Sequence, residues 1–414
     1  MAAEAPVILD VSRLVSRIGT GPLTGIDRVE AAWLGHVASR KHNLICRVSR
    51  GQLLLPPEAG PKILRWISGN RWDLPVQPGW RERLAGQNGG AARAKTALRE
   101  MALFSAGRSG KGLVRQAMQS LGRDITYLNV GHSNLDRAFL ANMSECKRVV
   151  MIHDTIPLDH PEYTREGQTK KFRTRFMTAL TFADQIIAIS QATAERIELW
   201  RGRLAITRRA PIAVAHIGTT LSPSRPDEIP GDLDLRRPFF LALGTIEPRK
   251  NHALLLDAWD IIRDRMSGED IPQLFIIGRR GWNNHEVFAR LDALPLDGPV
   301  KERNHLNDGA VAALVERCHG LLMPSFAEGF GLPLTEAAAR GVPLLCTPLP
   351  SARELIGDYA TYLPASNPDE WAGKIIELAN INPIRMKKLE ISGWENHFRI
   401  VNHALEFAPQ GRGA

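Results

Sequence analysis

Short apolar runs alternate with amphipathic stretches along almost the whole chain. Near the start, "PVILDV" has the uninterrupted apolar character of a buried strand, and "GIDRVEAAWLGHVASR" sets Ile26, Val29, Trp33 and Val37 near one face of a helix. "TYLNV", "KRVVMIHD", "QIIAIS" and "PIAVAHI" follow, each running into turn residues or a helix start. Strands alternating with helices predict a parallel sheet covered on both faces. Between Gly218 and Pro238 the pattern breaks into a Pro-, Ser- and charge-rich stretch, the best linker candidate. It then restarts with "FFLALGT", "QLFIIG", "GLLMP" and "PLLCT". The expected class is therefore α/β, with two Rossmann-like parallel-sheet domains facing each other across a cleft. Residues 1–228 form the first, 229–393 the second, and 394–414 a terminal helix that packs back across the first. Ligands in such sheets bind outside the carboxyl ends of the strands.

A length of 414 residues agrees with two domains, and no apolar run approaches the roughly 18 residues of a membrane span. "MAAEAPVILDVSR" has no basic region before an apolar core, so no secretory signal is expected. Cys46, Cys146, Cys318 and Cys346 are widely spaced and read as reduced core residues of a cytoplasmic protein. The net charge of +9 draws attention to polyanions. It is concentrated: Arg81–Asp124 holds nine Lys/Arg against three acids, and "TREGQTKKFRTRF" adds a basic helix-like stretch. Nucleic acid is disfavoured as a partner, because only 6% of residues are aromatic and the basic stretches carry no recognised module.

Four stretches carry candidate chemistry. Gly19, Gly21 and Gly25 lie between a predicted strand and helix, where backbone approaches a ligand closely, although the spacing is not that of a dinucleotide fingerprint. In "LGTIEPRKNHALLLDAW", Arg249 and Lys250 fall in an exposed strand-to-helix loop before Asn251, a candidate N-cap. Two cations there oppose the helix dipole unless an anion visits, which favours a phosphate ligand. His153 and Asp154 follow a fully apolar strand, and a zinc reading of His153, Asp154 and His160 fails on spacing. Finally, "PSFAEGFGLPLTEAAARGVPLL" puts Glu328 in a Gly/Pro-rich bend and Glu336 just inside the next helix. The backbone N–H groups of Phe330, Gly331 and Leu332 suit a phosphate or sugar, and the carboxylates accept from hydroxyls. A nucleotide sugar offers both. "GRSGKG" and "GHSNL" only mimic a phosphate loop and a nucleophile elbow, each lacking a required residue.

Over nearly its whole length the chain resembles the family-4 glycosyltransferases of the GT-B fold. "EGFGLPLTEAAARGVPLL" is similar to that family's two-glutamate motif, "GTIEPRKN" to its diphosphate loop, and "HLNDGAVAALVERC" to its base-side segment. "IHDTIPLDHPEY" and "ADQIIAISQAT" look like its N-terminal landmarks, and "TGIDRVE" resembles a branch that includes bacterial surface-polysaccharide mannosyltransferases. The resemblance implies that Glu336 holds the donor ribose and Glu328 the transferred sugar. Arg249 and Lys250 neutralise the diphosphate, Leu306 and Asp308 lie near the base, and His153 faces the sugar. The family's tighter Gly-Gly pair is replaced here by the longer "GTGPLTG", which leaves the placement of Gly21 and Gly25 open.

It further implies retention of configuration, no tightly held cofactor or metal, and a front-face mechanism in which the leaving phosphate helps deprotonate the acceptor. GDP-mannose is the favoured donor, with UDP- or dTDP-sugars as alternatives. The expected acceptor is a growing polysaccharide, such as a lipopolysaccharide chain, or a lipid-linked glycan. The expected location is cytoplasmic, peripheral on an anionic inner membrane face. The runner-up is a nucleotide-sugar epimerase or a sugar phosphorylase on the same architecture.

Overall fold

The computed structural model describes residues 5–407 except 22, 87, 88, 382 and 384. Residues 408–414 of the expected terminal helix thus lie outside the described residues.

The first sheet has eight strands: β1 Val7–Asp10, β2 His42–Val48, β3 Gly51–Leu55, β4 Phe104–Ala106, β5 Thr126–Asn129, β6 Lys147–Ile152, β7 Gln185–Ala188 and β8 Ile212–Val214. Their order is β4-β3-β2-β1-β5-β6-β7-β8. Alternate residues of β1 feed opposite faces: Val7 and Leu9 join one core, Ile8 the other. The sheet is not parallel throughout. β2 and β3 pair antiparallel from Val48↔Gly51, and β3 pairs antiparallel with β4. The tight connection at Ser49–Arg50 allows no crossover, so the chain must double back.

The second sheet has six strands: β9 Phe239–Leu243, β10 Gln273–Ile277, β11 Val300–Arg303, β12 Gly320–Met323, β13 Leu344–Cys346 and β14 Thr361–Tyr362. They are ordered β11-β10-β9-β12-β13-β14 and all paired in parallel. In each sheet the chain builds outward in one direction, then restarts beside the first strand and builds the other way. The restarts fall between β1 and β5 and between β9 and β12, which leaves a crevice beyond their carboxyl ends.

The helix Trp394–Phe407 follows the second sheet in sequence but packs on the first. Val401 is in the same core as Val7 and Leu9, with Trp394 and Phe398 against it. Trp33 meets Phe398 edge-on at 5.0 Å. All four cysteines are free and buried, Cys46 with its thiol pushed up to about 12 by burial.

Candidate active site

Two loops of the second domain meet at its crevice. After β9 the chain turns through Gly244, at φ +125, and a 3-10 turn at Pro248–Lys250 into the helix His252–Arg265. After β12 it bends into the helix Leu332–Ala339, with Gly331 at φ +106 before it. The loops are joined by backbone, Phe326 N donating to Arg249 O at 2.8 Å. They are also joined by charge. Arg249 Nη1 donates to Glu328 Oε2 at 2.8 Å and to Ala327 O at 2.9 Å, while Lys250 Nζ donates to Glu328 Oε1 at 2.5 Å. Ser325 Oγ adds 2.8 Å to Oε1, and Arg249 Nε pairs with Glu247 at 2.6 Å.

Burial alone would raise the Glu328 carboxyl, but the guanidinium and ammonium beside it outweigh that and hold it at about 2. Burial pushes Lys250 toward the neutral amine, and the Glu328 carboxylate opposes that. The pair is ionised, because a carboxylate with three donors has no reason to take a proton.

The exposed loop expected around Arg249 and Lys250 is corrected by this geometry. Lys250 is only 9% exposed and Arg249's side chain 23%. The anion that compensates two cations at a helix start is the chain's own Glu328 and Glu247. Asn251 occupies the N-cap position as expected, at φ +54, but its side chain makes no cap hydrogen bond and its Nδ2 donates to Ala365 O at 2.9 Å.

Across the crevice lies the end of β6. A Cβ on Gly329 would come within 2.4 Å of His153 O and 2.9 Å of Asp154 Cβ, so only glycine permits this approach. The His153 ring is turned into its own domain: Nε2 bonds Val130 O at 2.7 Å, and the ring lies 5.0 Å from His132, edge-on. Burial lowers its pKa to about 4, so it is neutral, with the proton on Nε2 because a carbonyl only accepts. Asp154 Oδ1 accepts from Ile156 N at 3.1 Å; burial raises its carboxyl and nearby Arg249 offsets part of that. Phe330 and Leu332 pack into the first domain's core.

The remaining candidates gather around a residue that the sequence reading missed. Arg28, on the helix Gly25–Val37, donates through Nη1 to Glu336 Oε1 at 3.1 Å and through Nη2 to Asp308 Oδ1 at 2.8 Å. One guanidinium thus spans the cleft to both carboxylates. Burial raises the Glu336 carboxyl, and Arg28 opposes that shift. Its helix is held by a capping box between Thr24 and buried Asp27, which also pairs with Arg13 and Arg17 at 3.1 and 3.0 Å. A Cβ on Gly25 would sit 3.4 Å from Leu332, so the glycine loop reaches the helix start, whereas one on Gly21, at φ +95, would meet nothing within 4 Å. Leu306 packs against the second domain's core, and Asn307 caps the helix Asp308–Arg317 by accepting from Ala310 N at 2.8 Å.

Two further carboxylates are part of the frame. Glu354 accepts from Gln191 N and Ala192 N at 2.6 and 3.0 Å and contacts His216 Nε2 at 2.6 Å, placing the second domain's anion at the start of a first-domain helix. Buried Asp10, at the end of β1, accepts from Ser12 N, Tyr127 OH and Asn134 Nδ2 at 3.0, 2.8 and 2.8 Å. Asn134 lies in "GHSNL", so this segment anchors the loop after β5. Among the described residues no His, Cys, Asp and Glu side chains cluster as a metal site, and no helix is long and apolar enough to cross a membrane.

Comparison with known proteins gives this arrangement a context. Residues 227–391 match the family model described as "Glycosyl transferases group 1". A serotype-specific mannosyltransferase, WbdA of Escherichia coli, is 30% identical over 239 residues, which are 55% of this chain and 29% of that protein. O-antigen chain mannosyltransferase B of Escherichia coli is 30% identical over 139 residues, 34% of this chain and 36% of it. The chain therefore spans about a third of the length of these relatives. Among solved structures, sucrose-phosphate synthase from Thermosynechococcus elongatus superposes with a TM-score of 0.58 at 14% identity, covering 98% of this chain and 94% of that one. Anabaena HepE in complex with UDP-glucose gives 0.57 at 17% identity, covering 91% and 90%. The shared fold is GT-B, and residues 227–391 of this chain are similar to the glycosyl transferases group 1 family.

Proposed function

We propose that this chain, a GT-B protein similar over residues 227–391 to the glycosyl transferases group 1 family, transfers a hexose with retention from a nucleotide sugar to a glycan acceptor. The observation that carries the reading is the buried Arg249–Lys250–Glu328 cluster opposite His153 and Asp154, with Glu336 within the helix that starts beside it. In this reading the cluster is a charge exchanger. The donor diphosphate takes Arg249 and Lys250, and Glu328 is released to accept from the sugar hydroxyls. As the glycosidic bond to the phosphate breaks, the same two cations and the N–H groups after Phe330 meet the growing charge on the leaving oxygen. Glu336 accepts from the ribose diol, and Asp308 and Leu306 lie on the base side. Residues 1–228 take the acceptor and residues 229–393 the donor, and the helix Trp394–Phe407 crosses back to the first domain.

Mannose, delivered as GDP-mannose, is the favoured sugar, on the strength of the mannosyltransferase relatives. The acceptor is a growing polysaccharide or lipid-linked glycan met at the inner membrane face, and no divalent ion is required. Thermal shift against GDP-, UDP-, dTDP- and ADP-sugars tests the donor. A ligand at a hundred times its dissociation constant adds about 2.7 kcal/mol, so binding is visible. The expected result is stabilisation by GDP-mannose, followed by product formation only when a glycan acceptor is added. Isomerisation of the donor without an acceptor would replace this reading by an epimerase.

A further inference from the structure

Residues 71–84, between the helices Ala59–Ile67 and Gly90–Met101, are held from their inner side. Trp66 Nε1 donates to Asp73 Oδ1 at 2.6 Å, and Arg65 pairs with the same carboxylate. Leu74 is buried, Gly79 N donates to Thr96 Oγ1 at 2.7 Å, and buried Glu82 accepts from Arg99 Nε and Nη2 at 3.1 and 3.0 Å. What this ordered segment turns outward is unusual. Trp72, Val76, Trp80 and Leu84 are 77%, 89%, 58% and 67% exposed, at every fourth position. Of the segment's two acids Glu82 is buried and Asp73 is paired with Arg65, so the uncompensated charge beside the apolar side chains is that of Arg81 and Arg83. Arg65 lies over Trp72 at 5.4 Å and Arg81 over Trp80 at 5.2 Å, with Arg83 exposed next to them.

Two indoles, two aliphatic tips and the uncompensated guanidinium groups of Arg81 and Arg83 match one surface in particular. At the boundary of an anionic bilayer the apolar parts enter the acyl edge, indoles sit at headgroup depth, and arginines meet the phosphates. We propose that residues 71–84 are an interfacial anchor that seats the first domain on an anionic lipid surface. This rests on the lipid-linked acceptor in the reading above and names the surface that meets it. The anchor lies beside the cleft: a Cβ on Gly19, at the start of the glycine loop, would lie 3.2 Å from Gly90 Cα and 3.8 Å from Arg71 Nη1. The basic helix Gln168–Phe182 is a weaker candidate, because it exposes Lys170, Lys171, Arg173 and Arg175 but buries Phe176.

The test uses the full chain and vesicles of phosphatidylcholine with or without phosphatidylglycerol, read by co-sedimentation. Wild type is expected to bind the anionic vesicles. The variant W72S/V76S/W80S/L84S is expected to bind at least about tenfold more weakly, at low and high salt alike, with an unchanged melting temperature because the four side chains are exposed. K170Q/K171Q/R173Q/R175Q is expected to lose little, and only at low salt. Undiminished binding by the serine variant, or no binding by wild type, overturns the proposal. So does a serine variant that converts a dimer to a monomer while still binding vesicles, which would assign the patch to a second copy of the chain. Sugar transfer to a soluble acceptor is measured in parallel. If wild type binds vesicles but transfers nothing, the anchor stands and the catalytic reading fails.

Discussion

The loops around Glu328 and the segment around Trp80 treat charge and apolar surface in opposite ways. In the first, every charged group has a partner: Arg249 and Lys250 share Glu328, and Glu247 takes the other edge of Arg249. In the second, Glu82 and Asp73 are taken by Arg99 and Arg65, while Trp72 and Trp80 face water beside Arg81 and Arg83, which no carboxylate pairs among the described residues. A buried ion cluster is costly to form and costly to break, and rigid enough to present charge at fixed positions. An exposed apolar patch costs little in folding but implies something to cover it. In the proposed reading, the contrast separates a site for a small anion, which replaces an internal carboxylate, from a surface for an extended partner.

The sharpest way to break this contrast is to disarm the paired side. R249A/K250A is expected to abolish turnover and also to destabilise the fold, by about 3–5 kcal/mol, because it strands two buried carboxylates. Adding E328Q to that variant should recover part of the loss in urea unfolding; no recovery would mean that the cluster is not the unit described. The same carboxylate sets a pH limit. Its folded pKa, about 2, lies below the ordinary 4.5, so its contribution is present above that ordinary value and is lost as pH falls toward 2. E328Q should therefore flatten the acid limb of the stability profile.

A smaller effect separates the two glutamates. E336A is expected to weaken free nucleotide binding about ten- to a hundredfold, the worth of a charged hydrogen bond, while E328Q, which frees Arg249 and Lys250 from their internal competitor, keeps or raises free nucleotide affinity and impairs transfer. Equal losses in calorimetry would contradict the separate roles. Smaller again is R28A. Its bonds to Glu336 and Asp308 are partly exposed and worth about 0–1 kcal/mol, so removing a competitor for Glu336 should raise nucleotide affinity no more than about fivefold. A fall in affinity would make Arg28 a ligand of the nucleotide instead. The smallest expected change is none: activity in excess EDTA should equal that without it, and a magnesium-reversible loss would reveal a metal step.

The parallel strands and the long amphipathic helices were legible because burial on both faces writes itself into apolar runs such as "VVMI" and "LFII". The hairpin β2–β3 was not, since five residues of "GQLLL" look the same whether the strand runs up or down. The two-glutamate bend and "PRKN" were legible as chemistry, and the structure brings them together. Their mutual pairing was not, because a sequence shows two cations and an acid but not the distance between them. Arg28, within "TGIDRVE", was not legible as a site residue, since a lone arginine on a helix is usually solvated; only tertiary placement brings it against Glu336. Glu247, two residues before Arg249, left the one local hint that the cations have an internal counterion.

The last helix returns to the first sheet, so the polypeptide passes between the two halves twice. These passages touch: Thr219 N donates to Ser392 O at 3.3 Å, and Trp394 Nε1 donates to Thr220 Oγ1 at 3.1 Å. Paired in this way they act as the pin of a door, and opening becomes a swing about one line instead of a free separation. Thr335, next to Glu336, bonds Thr219 at 2.9 Å and so lies against that pin. We infer that the Glu336 end of the cleft moves least when the halves part, a prediction that paired spin labels near Thr335 and near Gly329 would refute by widening equally on nucleotide release.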